Sequence, residues 1–227
     1  MAEKPRECRA RVMACRALTP DVLEADLAMV DPPALAFDAG QWVSVPFGPK
    51  TVRAYSIASS PRTPTTITLC ADIAPGGVGS RWFRGLGAGA EVRFKGPLGG
   101  FVLEPGDTRR LLLVAEEIGI VPVRAIAEEL AAGGFARPAT LVSWARERRG
   151  LVYDADLAML ARQHAGFAYH PITAADDAPA AAAERLVTDA TSLVAYVAGG
   201  EATIKAVRAA LMARGMDRKA IKWEKFW

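Results

Sequence analysis

Arg53-Ala54-Tyr55-Ser56-Ile57-Ala58-Ser59-Ser60-Pro61 reads as a strand that runs into a Ser-Pro turn. Alternation sets Arg53, Tyr55 and Ile57 on one face and Ala54 and Ser56 on the other. An arginine can fork onto a phosphate, a tyrosine ring can lie on a planar heterocycle, and a serine hydroxyl can bond a ring nitrogen. The plain alternative is an ordinary alternating strand. Further along, Ala74-Pro75-Gly76-Gly77-Val78-Gly79-Ser80-Arg81 places its glycines just before a serine. Glycines let backbone N–H groups close on an anion, and Ser80 is a good N-cap for a short helix, Ser80 to Leu86, that would face it. Here the plain alternative is a hairpin loop.

Working outward, the first 105 residues read as β. Short apolar stretches run from Cys8 to Ala17, Val22 to Ala28, Trp42 to Val45, Ala54 to Ala58, Thr66 to Asp72 and Glu91 to Lys95, with Pro- and Gly-rich turns between them. That spacing predicts an antiparallel barrel or sandwich. The character changes after Pro105-Gly106-Asp107. Arg110 to Ala115 is a continuous apolar run, as in a strand buried on both faces. Helical stretches at Val121 to Ala132, Asp154 to His164 and about Ala202 to Arg214 then alternate with strands at Ala139 to Trp144, Phe167 to Ile172 and Leu193 to Ala198. The alanine tract Ala178 to Ala183 is a helix start or a surface loop. Alternating strands and helices predict a parallel sheet with crossover helices.

Composition narrows the function classes. The 227 residues are 51% hydrophobic and 23% charged, an ordinary globular balance. The net charge of +3 is spread as 12 basic against 10 acidic residues up to residue 105, then 16 against 15, so no basic arm points to nucleic acid. Cys8, Cys15 and Cys70 form no CxxC pair, and His164 and His170 are isolated, so no metal site or iron–sulfur cluster is expected. The N-terminus lacks an apolar signal core and no apolar run approaches the ~20 residues of a membrane span, which predicts a cytoplasmic protein.

Arg53-Ala54-Tyr55-Ser56, the glycine turn ending at Ser80 and the later Gly96-Pro97-Leu98-Gly99 resemble, in order and spacing, the flavin-binding barrel of the ferredoxin–NADP reductase family. The likeness extends over nearly the whole chain. It implies an antiparallel six-stranded flavin-binding β-barrel over residues 1–105, then a doubly wound parallel-sheet domain of pyridine-nucleotide-binding type over 106–227. It implies FAD, which the family uses more often than FMN, held by Arg53, Ala54, Tyr55 and Ser56 and by the amides of Gly77, Val78, Gly79 and Ser80. Tyr55 would lie against the isoalloxazine and Ser56 would reach its N5 edge. The end of the chain, Lys222-Trp223-Glu224-Lys225-Phe226-Trp227, looks like that of the reductases, which implies Glu224 as a catalytic group near N5 and Phe226 or Trp227 as cover for the ring. The plain alternative there is a terminal strand with packed aromatics.

The second half departs from the family. Its reductases carry Gly-Gly-Thr-Gly-Ile-x-Pro after the first strand; here the segment is Glu116-Glu117-Ile118-Gly119-Ile120-Val121-Pro122, which keeps Gly119 and Pro122. Glutamate offers neither the room nor the ready positive φ of glycine. Two carboxylates would face the dinucleotide's pyrophosphate, and charges ~5 Å apart repel by about 3 kcal/mol at an effective dielectric near 20. The family's Cys-Gly-Pro turn aligns with Ala198-Gly199-Gly200, and its usual methionine with Thr203. Arg146, Arg148 and Arg149 could meet a 2′-phosphate or form a solvated basic loop.

The expected activity is therefore a flavin-dependent oxidoreductase passing electrons between NAD(P)H and a protein or small-molecule acceptor. Its partner would be an electron-transfer protein or an oxygenase component on another chain. Three alternatives stand beside it: a flavoprotein subunit that has lost NAD(P)H binding, a non-catalytic adaptor in a redox complex, and a flavoenzyme using Glu116 and Glu117 for proton chemistry.

Overall fold

The computed structural model describes residues 4–227. The chain forms two compact units: one runs to Val102 and takes in Arg124–Glu129, and the other comprises Leu103–Val123 and Leu130–Trp227.

In the first unit, β1 (Arg6–Thr19), β2 (Val22–Asp31), β3 (Trp42–Pro46), β4 (Val52–Ser56), β5 (Thr66–Asp72) and β6 (Glu91–Leu98) form one antiparallel sheet, and α1 (Val78–Arg84) lies between β5 and β6. The sheet order is β4-β3-β6-β1-β2-β5. An Ile57–Leu69 bridge just past β4 joins it to β5, and Ala58 N donates to Thr68 O at 2.8 Å, so the two outermost strands meet and the sheet closes into a barrel. Alternation fills the interior: Cys8, Ala10 and Val12 from β1 meet Leu27, Val43, Ile67, Leu69 and Phe94 in one core.

Strands β1, β2 and β3 run slightly longer than expected, and three further differences bear on the site. Strand β4 covers Val52–Ser56, not Ala54 to Ala58. Strand β6 runs through Gly96-Pro97 to Leu98 where a turn is expected. Its pairing with β1 ends at Gly96 and its pairing with β3 has a register shift between Trp42 and Ser44, so the missing N–H of Pro97 breaks no regular ladder. Helix α1 begins two residues before Ser80: Gly76, at φ 66°, turns the chain, and the extended Gly77 is the N-cap.

The second unit alternates β7 (Arg110–Glu116), α2 (Ile120–Ala132), β8 (Ala139–Ala145), α3 (Asp154–Gln163), β9 (Phe167–Thr173), α4 (Pro179–Arg185), β10 (Leu193–Gly199), α5 (Glu201–Ala213) and β11 (Ile221–Lys225). Its parallel sheet has the order β11-β10-β7-β8-β9. All of β10 and the Leu111–Ala115 run of β7 are buried, as the continuous apolar runs require when helices cover both faces. The alanine tract resolves as α4, with Pro179 in its first turn and Ala182 and Ala183 buried. Pro122 sits in the first turn of α2, where its missing N–H has no helical partner to lose. The chain steps from β7 outward to β9, then returns to β10 on the other side of β7. The switch point of this doubly wound sheet is therefore between β7 and β10, and ligands of such sheets bind outside the strand ends at that point.

Where β7 is approached, Asp107 accepts from Arg109 three times: from its amide at 3.0 Å, its Nε at 3.0 Å and its Nη2 at 2.7 Å. The Arg109 guanidinium bonds outweigh burial and hold the Asp107 carboxyl at about 2, below its usual 3.8. A depressed carboxylate stabilises the fold only while ionised, so its contribution is full above about pH 4 and disappears as pH falls through about 2. Asp107→Asn is expected to cost about 1–2 kcal/mol at neutral pH. Urea unfolding along an acid series should show the difference from the parent closing over that window.

Candidate functional site

In the first unit the site is built where β4 meets the start of α1. A Cβ on Gly79 would stand 2.6 Å from the Tyr55 hydroxyl and 3.3 Å from Arg53 Cγ. Arg53 and Tyr55 therefore both project against the α1 turn, on the face that alternation assigns them, and the turn can approach this closely only with glycine at 79. Tyr55 is held from behind by Trp82 and Phe83, with ring centroids at 5.5 and 5.7 Å. Burial pushes its phenol up to about 12, with the Arg53 charge opposing, so Tyr55 stays a neutral hydroxyl donor at physiological pH. Arg53 is exposed and donates to the adjacent Val52 carbonyl at 2.8 Å. Arg81 reaches back to the Gly76 carbonyl at 2.8 Å. Gly76 and Gly77 have open space where a Cβ would be. Two guanidiniums beside an open glycine turn fit an anionic group such as a phosphate. Ser56 and Ser80 are buried, while Ala54 is exposed.

The second unit gathers the other candidates at the β7/β10 switch point. A Cβ on Gly119 would lie 2.4 Å from the Ala198 carbonyl oxygen, so the segment leading into α2 rests directly on the end of β10. Glu117 takes φ 49°, the left-handed conformation that glycine favours, and its Oε1 accepts from Arg146 N at 2.8 Å. Glu116 at the end of β7 reaches across the switch point. Its Oε2 accepts from Gly200 N, the N-cap of α5, and its Oε1 accepts from Thr203 Oγ1, each at 2.7 Å. Neither glutamate stands as a bare charge over the strand ends. Gly119, Gly199 and Gly200 are packed against Ala198, Glu116 and Trp227 respectively, so small residues let these groups converge at the strand ends, outside which a doubly wound sheet binds its ligands.

Strand β11 carries the chain end to the same place. Glu224 is in register with Ala198, Phe226 N donates to Gly199 O at 3.0 Å, and the Trp227 indole lies over Gly200. Arg146 is exposed; Arg148 pairs with Asp154 at 3.5 Å and Arg149 with Glu147 at 2.9 Å. The expectation of Ser80 as N-cap is corrected to Gly77, with Ser80 inside the first turn. Sequence reasoning missed Arg81 as a site residue and placed Thr203 only where the family has its methionine. The one detectable signal for Arg81 was a cation one helical step past the glycine turn. Nothing in the sequence marked Thr203 as a partner of Glu116, because they are distant in the chain. Among the described residues no cluster of His, Cys, Asp and Glu could hold a metal ion, and no helix is long and apolar enough to cross a membrane.

Residues 9–103 match the family model of the oxidoreductase FAD-binding domain, and residues 108–227 match that of siderophore-interacting proteins. The chain is 35% identical, over 67% of its length, to ferredoxin–NADP reductase B of Sorangium cellulosum, and spans 64% of that protein, under two thirds of its length. It is 30% identical to the reductase subunit of an aromatic O-demethylase from an Amycolatopsis strain, covering 97% of this chain and 70% of the relative. The crystal structure of the Amycolatopsis cytochrome P450 reductase GcoB superposes with a TM-score of 0.87 at 28% identity, covering 98% of this chain and 70% of that one. A closed antiparallel barrel followed by a doubly wound sheet, with these matches to its two halves, defines a class of flavin oxidoreductases. The chain belongs to the ferredoxin–NADP reductase-like flavoprotein family.

Gly79→Ala is expected to overpack the Tyr55–Arg53 face at a cost of about 1–3 kcal/mol, with up to about 1 kcal/mol returned by helix propensity. Tyr55→Phe removes the clashing oxygen, so the double variant should recover part of that loss. Thermal unfolding of the four proteins in the cycle measures the coupling, and strict additivity would refute the contact.

Proposed function

We propose that this chain is the flavin-bearing reductase of an electron-transfer system, passing electrons from NAD(P)H to an electron-transfer protein or oxygenase component. The observation that carries this reading is the Arg53–Tyr55–Gly79 arrangement, inside a barrel that matches the FAD-binding model. FAD accepts electrons in pairs and releases them singly, which suits a two-electron donor and a one-electron partner. In this reading Arg53 and the turn Gly77, Val78, Gly79 and Ser80 hold its phosphates, and Ala54, Tyr55 and Ser56 line its ring. Ser56 and Glu224 act at the N5 edge, with Phe226 and Trp227 as aromatic cover. Gly119, Pro122, Gly199 and Gly200 receive the nucleotide, with Glu116 and Glu117 held aside by their own bonds, and Arg146 and Arg148 serve a phosphate of its adenosine end. A cytoplasmic address belongs to the same reading.

The engaged carboxylates bear on the alternative that nucleotide binding has been lost. Both glutamates are hydrogen-bonded within the second unit, which fixes their carboxylates on protein donors and keeps them from reaching freely over a bound nucleotide, while their charge remains. The match of residues 108–227 to the siderophore-interacting model favours a second reading of the acceptor, as a ferric chelate instead of a protein.

Mixing the purified yellow protein with NADPH or NADH in a stopped-flow instrument should bleach the flavin band with at least one of them. Bleaching by dithionite alone would refute NAD(P)H as donor. Arg53→Ala should change folding stability by less than about 0.5 kcal/mol, because the side chain is exposed. It should weaken FAD retention at least about tenfold, since a charge-assisted phosphate contact is lost. Flavin content after gel filtration, beside a thermal melt, checks both. Trapping of ferrous iron from a ferric chelate during NADPH turnover separates the two acceptors.

A further inference from the structure

The start of α5 is the natural place for an anion at this switch point, because its first amides point out of the helix and its dipole is positive there. In this protein the position is already taken. Glu116 accepts from Gly200 N and from Thr203 Oγ1, so the protein's own carboxylate sits where a ligand's anion would. It is not held there loosely. A Cβ on Gly199 would meet Glu116 Cβ at 2.7 Å and its Oε2 at 2.8 Å. A Cβ on Gly200 would meet the Trp227 indole at 2.5 Å and Glu116 Oε2 at 3.2 Å. The paired glycines are thus filled on one side by a carboxylate and on the other by an aromatic ring. Trp227 is 56% exposed, and Phe226 packs edge-on to its ring with centroids 6.4 Å apart.

A carboxylate next to open aromatic surface rejects a phosphate and favours an aromatic cation, through charge attraction and cation–π contact. Among groups a reductase of this kind handles, the N-alkylpyridinium ring of an oxidised nicotinamide has that chemistry. Its dihydro and tetrahydro forms are neutral at the same ring and carry the same phosphates. We propose that Glu116 is a specificity-determining residue that, with Trp227, makes the β7/β10 switch point select the oxidised, cationic nicotinamide ring over its neutral reduced forms. The inference rests on the NAD(P)H reading above. It turns the two-carboxylate departure from the family's glycine motif into a charge selector at one of its positions. Glu117 has a different part, since its carboxylate is spent on the Arg146 amide.

The test is equilibrium binding to the oxidised holoenzyme by isothermal titration calorimetry. The two probes are the oxidised nucleotide of the donor that bleaches the flavin and its 1,4,5,6-tetrahydro analogue, which has a neutral ring and donates no hydride. Glu116→Gln keeps the shape and removes the charge. It should weaken the oxidised nucleotide relative to the tetrahydro analogue by about tenfold, the factor that corresponds to about 1.4 kcal/mol. Glu116→Gly, which restores the family's residue at this position, should show the same loss of preference if the glutamine variant folds poorly. A preference unchanged within about twofold in a folded variant, where RT is about 0.59 kcal/mol, overturns the inference and leaves the NAD(P)H reading standing. Binding of neither probe to the parent protein overturns both together.

Discussion

One backbone approach governs the second unit: the place of a Cβ on Gly119 lies 2.4 Å from the carbonyl oxygen of Ala198. No other residue allows the segment entering α2 to rest on the end of β10, whose parallel ladder with β7 holds the two strands of the switch point together. The rest of the crevice is built beside that contact. Glu116 can reach the Gly200 amide only because β7 and β10 are adjacent and their exits converge. The chain end reaches the same point because β11 adds to β10 in parallel and delivers Phe226 to the Gly199 carbonyl.

The first unit uses the same device between a strand and a helix turn. Gly79 lets the α1 turn close on Arg53 and Tyr55, and the aromatic pair Trp82 and Phe83 fixes the tyrosine from the helix side. The glycine here has an ordinary helical conformation and is required for its size. Gly76, at φ 66°, serves the turn by its backbone freedom instead. Size and conformational freedom are separate demands, and one short glycine run meets both.

The departure at Glu116 and Glu117 shows how a motif can lose its residues and keep part of its geometry. Glu117 adopts the left-handed φ a glycine would take, and a bond to the Arg146 amide helps offset a strain of about 1–2 kcal/mol. Glu116 turns the positive end of α5 into a bonded carboxylate instead of an open anion site. Electrostatic reasoning from sequence treats such side chains as bare charges, because their partners are strands away.

Much of the architecture was legible because its signals are local. The continuous apolar runs at Arg110–Ala115 and Leu193–Ala198 became buried parallel strands, and the turn-rich first half became a six-stranded barrel. Boundaries failed where a neighbouring strand decided them. Strand β6 continues through Pro97 because Leu98 still pairs with Trp42 of β3 after the β1 pairing has ended at Gly96, and α1 starts at Val78 because Gly76 turns the chain before Ser80. The site divides the same way. Alternation alone put Arg53 and Tyr55 on one face, and the glycine turn announced its own flexibility. That Gly79 faces the tyrosine hydroxyl, that Thr203 bonds Glu116, and that Trp227 covers Gly200 are decisions of tertiary structure. Local periodicity and turn chemistry are written in consecutive residues, whereas the partner of a carboxylate is set by which strand ends the fold brings within hydrogen-bond reach.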